Sequence, residues 1–86
     1  MYVIIVYDIK DKRVLKVNKY LKRYLIWVQN SVFEGEITEA LLEKVIKGLT
    51  KIIAETDSVI VYKLKSNGYL TRVILGNETN NINNVI

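Results

Sequence analysis

Residues 2–8 read YVIIVYD and are apolar up to the last position. Tyr, Val and Ile occupy both alternating sides of the run, as expected of a strand that lies inside a sheet and is covered on both faces. The run ends at Asp8, and a charge at the end of so apolar a strand is costly to bury unless it has a partner. The segment therefore predicts a central strand whose last residue needs a partner.

Two helices are predicted around this strand from apolar residues that recur at helical spacing. The first covers residues 11–24, with Asp11 expected to cap its N-terminus. The second covers residues 38–55, with Thr38 as its expected N-cap. Glycine weakens a helix interior, so Gly48 indicates a close packing contact within the second helix.

The remaining regular segments are predicted strands. Residues 25–36 form two short strands or one bent strand, with the bend at residues 29–31. Residues 58–64 form another strand, and the Asn-Gly pair at residues 67–68 predicts a turn after it. A last short strand is expected at residues 69–75.

The predicted order is strand, helix, strand, strand, helix, strand, with one extra strand at the C-terminal end. This is the order of an α+β ferredoxin-like βαββαβ sandwich, in which two helices cover one face of a single sheet. We assign residues 1–76 to this domain and expect the asparagine-rich tail at residues 77–86 to be mobile. Half of the 86 residues are hydrophobic, which is more than one small core hides and therefore predicts a homodimer.

The chain has no histidine and no cysteine. This excludes a histidine general base and a thiolate nucleophile, and it argues against a structural zinc site. Hydrolysis would have to use carboxylates with a hard cation, Mg²⁺ or Mn²⁺, and phosphodiester cleavage fits that requirement. The lack of cysteine fits a reducing cytosol, and no signal peptide or membrane span is recognisable. We therefore expect a cytoplasmic protein without membrane contact.

Positive charge is concentrated in one part of the chain. The net charge is +4, and seven basic residues fall between Lys10 and Arg23, where Asp11 is the only acid. Such a basic element suits a polyanion partner, although a solvated helix face would have the same composition. Arginine is suited to bidentate phosphate contacts. The residues predicted to contact a nucleic acid are Lys10, Lys12, Arg13, Lys16, Lys19 and Arg23.

Asp8 is the leading candidate for a metal ligand because it ends the apolar strand and directly precedes the basic segment. One carboxylate makes a poor metal site, but a two-fold axis beside Asp8 would bring a second carboxylate from a partner copy. A purely structural role at the strand end is the alternative for Asp8. Asp11 is a competing ligand whose alternative role is N-capping. Glu34 and Glu36 are further candidate ligands, with exposed strand-end positions as the alternative.

Three aromatic residues are also considered for a role in binding. Tyr7 and Phe33 could stack on bases, but aromatic residues on strands more often belong to the core. Trp27 is expected to be an anchor in the core or a dimer contact rather than a ligand platform.

Four segments, at residues 2–9, 27–36, 57–62 and 74–76, together with Arg13, resemble the Cas2 family of CRISPR-associated endoribonucleases. The specific parts are the run QNSVFEG within residues 27–36 and the opening Tyr-Asp pair. The resemblance covers nearly the whole chain.

The resemblance implies a ferredoxin-like homodimer in which the C-terminal strand of each chain joins the sheet of its partner and the two Asp8 side chains share a divalent ion. It implies metal-dependent cleavage of single-stranded RNA or double-stranded DNA, with Asp8, Arg13 and Phe33 as catalytic residues. It also implies a role in CRISPR adaptation, the acquisition of spacers together with the CRISPR integrase. A non-catalytic dimeric adaptor that bridges the integrase and duplex DNA is the alternative, and a toxin-type ribonuclease of the same fold is a second one.

Overall fold

The computed structural model describes residues 1–77 and has the elements in the predicted order. The tail predicted at residues 77–86 lies outside the described residues except for Asn77. The elements are β1 (Tyr2–Asp8), α1 (Arg13–Leu21), β2 (Ile26–Gln29), β3 (Val32–Glu36), α2 (Glu39–Ile52), β4 (Ser58–Leu64) and β5 (Leu70–Gly76). The bounds predicted for β1 and β4 are confirmed, whereas both helices are shorter than predicted.

The five strands form one antiparallel sheet in the order β2-β3-β1-β4-β5. The first strand, β1, lies in the middle, and it pairs with β4 along its whole length, from Tyr2 opposite Leu64 to Asp8 opposite Ser58. This arrangement confirms the ferredoxin-like fold with an extra C-terminal strand. That extra strand, β5, pairs with β4 of its own chain rather than with a partner's sheet. The strand exchange implied by the resemblance is therefore not the arrangement of the single chain.

The hydrophobic core lies between the sheet and the two helices. Alternate residues of β1 and β4 point into it, as the two-residue period of a strand requires. The side chains that fill it from β1, β3 and β4 are Val3, Ile5, Tyr7, Phe33, Val59 and Val61, and those from the helices are Val17, Leu21, Leu42, Val45 and Leu49.

The second face of the sheet carries no helix within residues 1–77, and we call it the open face. It is largely apolar: Ile4 of β1 and the paired residues Leu64 and Leu70 of β4 and β5 are exposed on it. The strand register also places Glu34 and Arg72 on this face. The expectation that β1 is covered on both faces is therefore wrong for a single chain. The apolar residues on its second side remain available for another molecule.

The two predicted N-caps have different outcomes. The Thr38 hydroxyl accepts a hydrogen bond from the Leu41 N–H at 3.2 Å, which confirms the cap of α2. Asp11 does not cap α1, because the N-cap position is occupied by Lys12 without a side-chain hydrogen bond. With φ at +56°, Asp11 lies in a left-handed turn before the helix, whereas an N-cap residue usually has extended backbone angles.

The helices approach each other at Gly48, as predicted. The Tyr20 hydroxyl of α1 donates to the Val45 carbonyl of α2 at 3.1 Å. A Cβ atom added at Gly48 would collide with the Tyr20 hydroxyl group, so glycine leaves room for this contact. Neither α1 nor α2 is long and apolar enough to cross a membrane.

Candidate active site

Asp8 lies at the carboxyl end of β1 on the side of the open face, and 76% of its side chain is exposed. Because the carboxylate is exposed, its charge carries no cost of burial, even though the rest of the strand is apolar. Its nearest charged partner is the Lys10 ammonium group, 3.7 Å from Asp8 Oδ1. The carboxylate opens onto a shallow concavity that is also lined by Val6, Tyr7, Lys10, Thr56, Ser58, Ile60 and Asn77.

The buried acid of this region is Asp57, the residue before β4, which was not among the residues predicted from the sequence. Its carboxylate accepts hydrogen bonds from the backbone N–H of Lys10 at 2.9 Å and of Ala54 at 2.8 Å. It also accepts two from the Arg13 guanidinium, at 2.7 and 3.1 Å. The Arg13 guanidinium, followed by the two backbone N–H donors, holds the pKa of Asp57 well below its usual range against the opposing effect of burial. Asp57 therefore fixes the segment that follows Asp8.

A sequence signal for Asp57 did exist. An acid directly precedes the apolar strand β4, just as Asp8 directly ends the apolar strand β1. A charge in such a position requires either solvent or a partner. Asp8 is exposed to solvent, whereas the buried Asp57 is paired with Arg13.

Arg13 was predicted to bind phosphate and to take part in catalysis. In the structure its Nε and Nη2 groups are both engaged by Asp57, and 30% of its side chain is exposed. This pairing raises the pKa of the guanidinium, because the carboxylate favours the charged form. Arg13 is thus a structural partner of Asp57 in the described fold, and contact with a nucleic acid stays a prediction for its partly exposed remainder.

Phe33 has none of its surface exposed. Its ring stacks on that of Tyr7 with centroids 6.2 Å apart, and both rings belong to the core. The interpretation of these two aromatic residues as core is confirmed. Direct contact of Phe33 with a nucleic acid is not available in this fold, so any influence on activity would act through packing.

The other candidate ligands are not brought to Asp8. Asp11 is absent from the lining of the Asp8 concavity and borders another one with Lys12, Arg13 and Leu15. Glu34 and Glu36 of β3 lie opposite Ile4 and Tyr2, so even the nearer one is about 13 Å from Asp8 along the sheet at 3.3 Å per residue. Glu36 instead lies 3.5 Å from the N-terminal amine. Among residues 1–77 no group of three or more acids could hold a metal ion.

Trp27 is not a core anchor. Half of its side chain is exposed on the edge strand β2, and its indole N–H donates to the Asn30 carbonyl at 3.0 Å. The two other apolar residues of β2, Ile26 and Val28, are exposed as well.

The predicted nucleic-acid contacts on α1 are well placed for that role. Lys12, Lys16, Lys19 and Arg23 are all exposed, and within the described part of the chain none of them forms an ion pair. The Arg23 guanidinium lies over the Tyr24 ring, 5.7 Å from its centroid. Among the predicted contacts, Lys10 is the one that lies beside the exposed carboxylate, 3.7 Å from Asp8 Oδ1.

The fold and these residues define a ferredoxin-like α+β domain with an exposed carboxylate at the end of its central strand and a basic helix beside it. The family model described as CRISPR associated protein Cas2 matches residues 1–72. The chain belongs to this family, and the resemblance recognised in the sequence is confirmed.

Curated relatives with the Cas2 name match this chain over its whole length. The CRISPR-associated endoribonuclease Cas2 of Pyrococcus furiosus is 53% identical over 100% of this chain and 100% of its own length. The protein of that name from Methanocaldococcus jannaschii is 51% identical over 100% of this chain and 76% of its own length. The crystal structure of Streptococcus pyogenes Cas2 at pH 6.5 matches with a TM-score of 0.70 and 38% identity, over 78% of this chain and 89% of that one.

Proposed function

We propose that this chain is a CRISPR-adaptation protein with metal-dependent phosphodiester endonuclease activity on single-stranded RNA or double-stranded DNA. It acts in the cytoplasm as a homodimer in which each copy contributes one Asp8 to a shared site. The observation that carries the proposal is the position of Asp8, an exposed carboxylate at the end of the central strand and on the side of the open face. The names of the curated relatives support the nuclease activity.

The homodimer is supported by the open face. Leu64 and Leu70 form a cross-strand pair with 47% and 64% of their surfaces exposed, and Ile4 is exposed beside them on β1. A second copy would bury this surface against its own equivalent, which is the usual geometry of a two-fold dimer. Leu64 and Leu70 lie six residues from the Asp8 end of the sheet, about 20 Å along the strands. We therefore place the two-fold axis nearer the carboxyl end of β1, where Val6 and Ile60 border Asp8, so that the two carboxylates face each other.

The residues around Asp8 fit Mg²⁺ or Mn²⁺. These ions prefer oxygen ligands, and the concavity is lined by Asp8 together with the hydroxyl-bearing residues Thr56 and Ser58. One carboxylate per chain is few for such an ion, so the second Asp8 completes the donor set. The bound ion would lower the pKa of a coordinated water and offset charge on the phosphate.

The chain's own residues bind and orient the substrate. Lys10 lies 3.7 Å from Asp8 and is half exposed, so its ammonium group can transfer to a phosphate oxygen that approaches the carboxylate. Lys12 continues the basic surface, and contacts of this kind hold a backbone without reading its sequence. Asp57 positions this segment through the Lys10 N–H and Arg13.

A second candidate function is favoured by the scarcity of acids around Asp8. A non-catalytic dimeric adaptor, which bridges the CRISPR integrase and duplex DNA, needs the basic surface but no metal. Within residues 1–77 the basic row of α1 is fully available, whereas acids do not cluster anywhere in that part of the chain. Integrase is a partner in both functions. The toxin-type ribonuclease is not carried further, because the chain belongs to the Cas2 family.

The test is cleavage of labelled single-stranded RNA and double-stranded DNA with Mg²⁺, Mn²⁺ or EDTA. Wild type is compared with Asp8→Asn and with Asp11→Asn as a matched control, since both variants remove one exposed carboxylate. Cleavage that needs metal, survives in Asp11→Asn and disappears in Asp8→Asn supports the nuclease. Cleavage by Asp8→Asn at the wild-type rate overturns the proposed site. An inactive wild type that binds duplex DNA favours the adaptor.

A further inference from the structure

A second row of basic side chains runs along α2. Lys44, Lys47 and Lys51 recur at intervals of three and four residues, which places them on one side of the helix. All three are exposed, and within residues 1–77 none of them has an ion-pair partner. The intervals are the same as those of Lys16 and Lys19 of α1 and Arg23, which lies two residues beyond its end.

The two rows border two neighbouring concavities between the helices that share Tyr20, and we call the two together the α1–α2 groove. One end is lined by Lys16, Lys19, Tyr20, Arg23 and Ile52, and the other by Tyr20, Tyr24, Ala40, Glu43, Lys44, Lys47, Gly48 and Lys51. Six cations and one carboxylate thus line it, although the net charge of the whole chain is only +4. Most of the lysine and arginine side chains that have no ion-pair partner within residues 1–77 therefore line this groove.

The aromatic floor of the groove is already occupied by contacts within the protein. The Tyr20 hydroxyl donates to an α2 carbonyl, and its ring meets the Tyr24 ring edge-on at 5.4 Å. Arg23 lies over the Tyr24 ring. These rings are therefore poor platforms for bases, and what the groove offers to a ligand is positive charge along its two walls.

We propose that the α1–α2 groove binds the phosphodiester backbone of a nucleic acid as a second surface, separate from the Asp8 site. The α2 row extends over eight residues, about 10 Å of helix, which corresponds to about three phosphates along one strand of a duplex. Charge contacts to phosphate carry no base information, so the groove binds regardless of sequence. The inference rests on the proposed function, because it assumes a nucleic-acid substrate.

The groove and Asp8 lie on opposite layers of the domain. The helices cover the face of the sheet that holds Val3, Ile5 and Tyr7, whereas Asp8 shares the other face with Ile4. A dimer formed through the open face would leave the grooves of both copies directed outward. A long nucleic acid can then be held by the groove while another part of it, or another molecule, reaches Asp8.

The test is equilibrium binding of a labelled DNA duplex and, in a second arm, a labelled single-stranded RNA, measured in EDTA over a range of NaCl concentrations. The groove variant is Lys47→Gln with Lys51→Gln. The control variant is Lys22→Gln with Lys65→Gln, which also removes two exposed, unpaired lysines but from outside the groove. Melting curves of all three proteins establish that they are folded.

The groove variant should lower the slope of log affinity against log salt by about two, whereas the control should change it by much less. The arm with the larger change identifies the preferred backbone, duplex DNA or single-stranded RNA. Equal losses in both variants, or an unchanged slope in the groove variant, would overturn the inference. The proposed function would stand in that case if Lys10→Gln with Lys12→Gln, outside the groove, still weakens binding. Wild-type binding that is absent or independent of salt would overturn the proposed function with it.

Discussion

Arg13 and Asp57 form a two-point ion pair, with Nε–Oδ2 at 2.7 Å and Nη2–Oδ1 at 3.1 Å. The pair joins the first residue of α1 to the residue before β4, 44 positions away in the sequence. The same carboxylate accepts the backbone N–H groups of Lys10 and Ala54. One buried acid therefore connects the segment after Asp8 to the end of α2 and to the sheet.

Replacement of this acid should be severe. Asp57→Ala removes the acceptor of four hydrogen bonds and leaves two backbone N–H groups and a cation without their partner. We expect a loss of about 3–5 kcal/mol in the free energy of unfolding, the usual cost of breaking a buried ion pair. Urea denaturation measures it, with Glu55→Ala, an exposed acid two residues earlier, as the control expected to stay within about 0.5 kcal/mol of wild type. Equal stabilities of the two variants would contradict the role of Asp57.

The same acid makes stability depend on pH. The folded-state pKa of Asp57 is lowered mainly by Arg13, so the unfolded chain takes up a proton at a higher pH than the folded chain does. The stabilisation is complete above the unfolded pKa of about 3.9 and is lost as the pH falls through the folded value. Denaturation midpoints measured from neutral to acid pH should decline more steeply for wild type than for Asp57→Asn. Parallel declines would show that other groups dominate.

The contact between the helices predicts an unusual response to alanine. In a free helix Gly48→Ala would gain about 1 kcal/mol, but here the added methyl group collides with the Tyr20 hydroxyl. We expect Gly48→Ala to destabilise the protein by about 1–3 kcal/mol, the usual cost of overpacking. In a Tyr20→Leu background the collision is relieved, and the same change should become stabilising. A double-mutant cycle from thermal melts measures this reversal, and its absence would show that Tyr20 simply moves aside.

The open face predicts a dimer that charge should disrupt. Leu64→Glu places a carboxylate in the proposed interface, where it would be buried without a partner. Sedimentation should then report a monomer for Leu64→Glu and a dimer for wild type. Leu15→Glu is the matched control, because Leu15 is 73% exposed on α1, away from the open face. A monomeric wild type, or a dimeric Leu64→Glu, would contradict dimerisation through this face.

Much of the fold is predictable from local sequence. The strands β1 and β4 have the predicted bounds because β1 is apolar up to Asp8, and β4 carries the apolar run at residues 59–62 close behind Asp57. Helix bounds are less well defined, since α1 begins at Arg13 without a side-chain cap. A local pattern does not reveal that Asp11 has a positive φ.

The candidate site is only partly predictable, because charged residues that pair in the structure are far apart in the sequence. The guanidinium of Arg13 suits a phosphate and a carboxylate equally well, and the sequence does not show that Asp57 lies within reach. Phe33 has an aromatic side chain of the type that stacks on bases. Its position opposite Ile5, on the helix-covered face of the sheet, places it in the core. Asp8 was identifiable because the signal for it, a charged residue at the end of an apolar strand, lies entirely within its own segment of the sequence.

The central claim is that two copies of Asp8 share one metal ion. The most direct measurement is a calorimetric titration of the full-length protein with Mn²⁺ in the absence of nucleic acid, repeated on Asp8→Asn and on the control Asp11→Asn. The account predicts one ion for every two chains in wild type and Asp11→Asn, and no binding in Asp8→Asn. One ion per chain, or binding that is unchanged in Asp8→Asn, would contradict it.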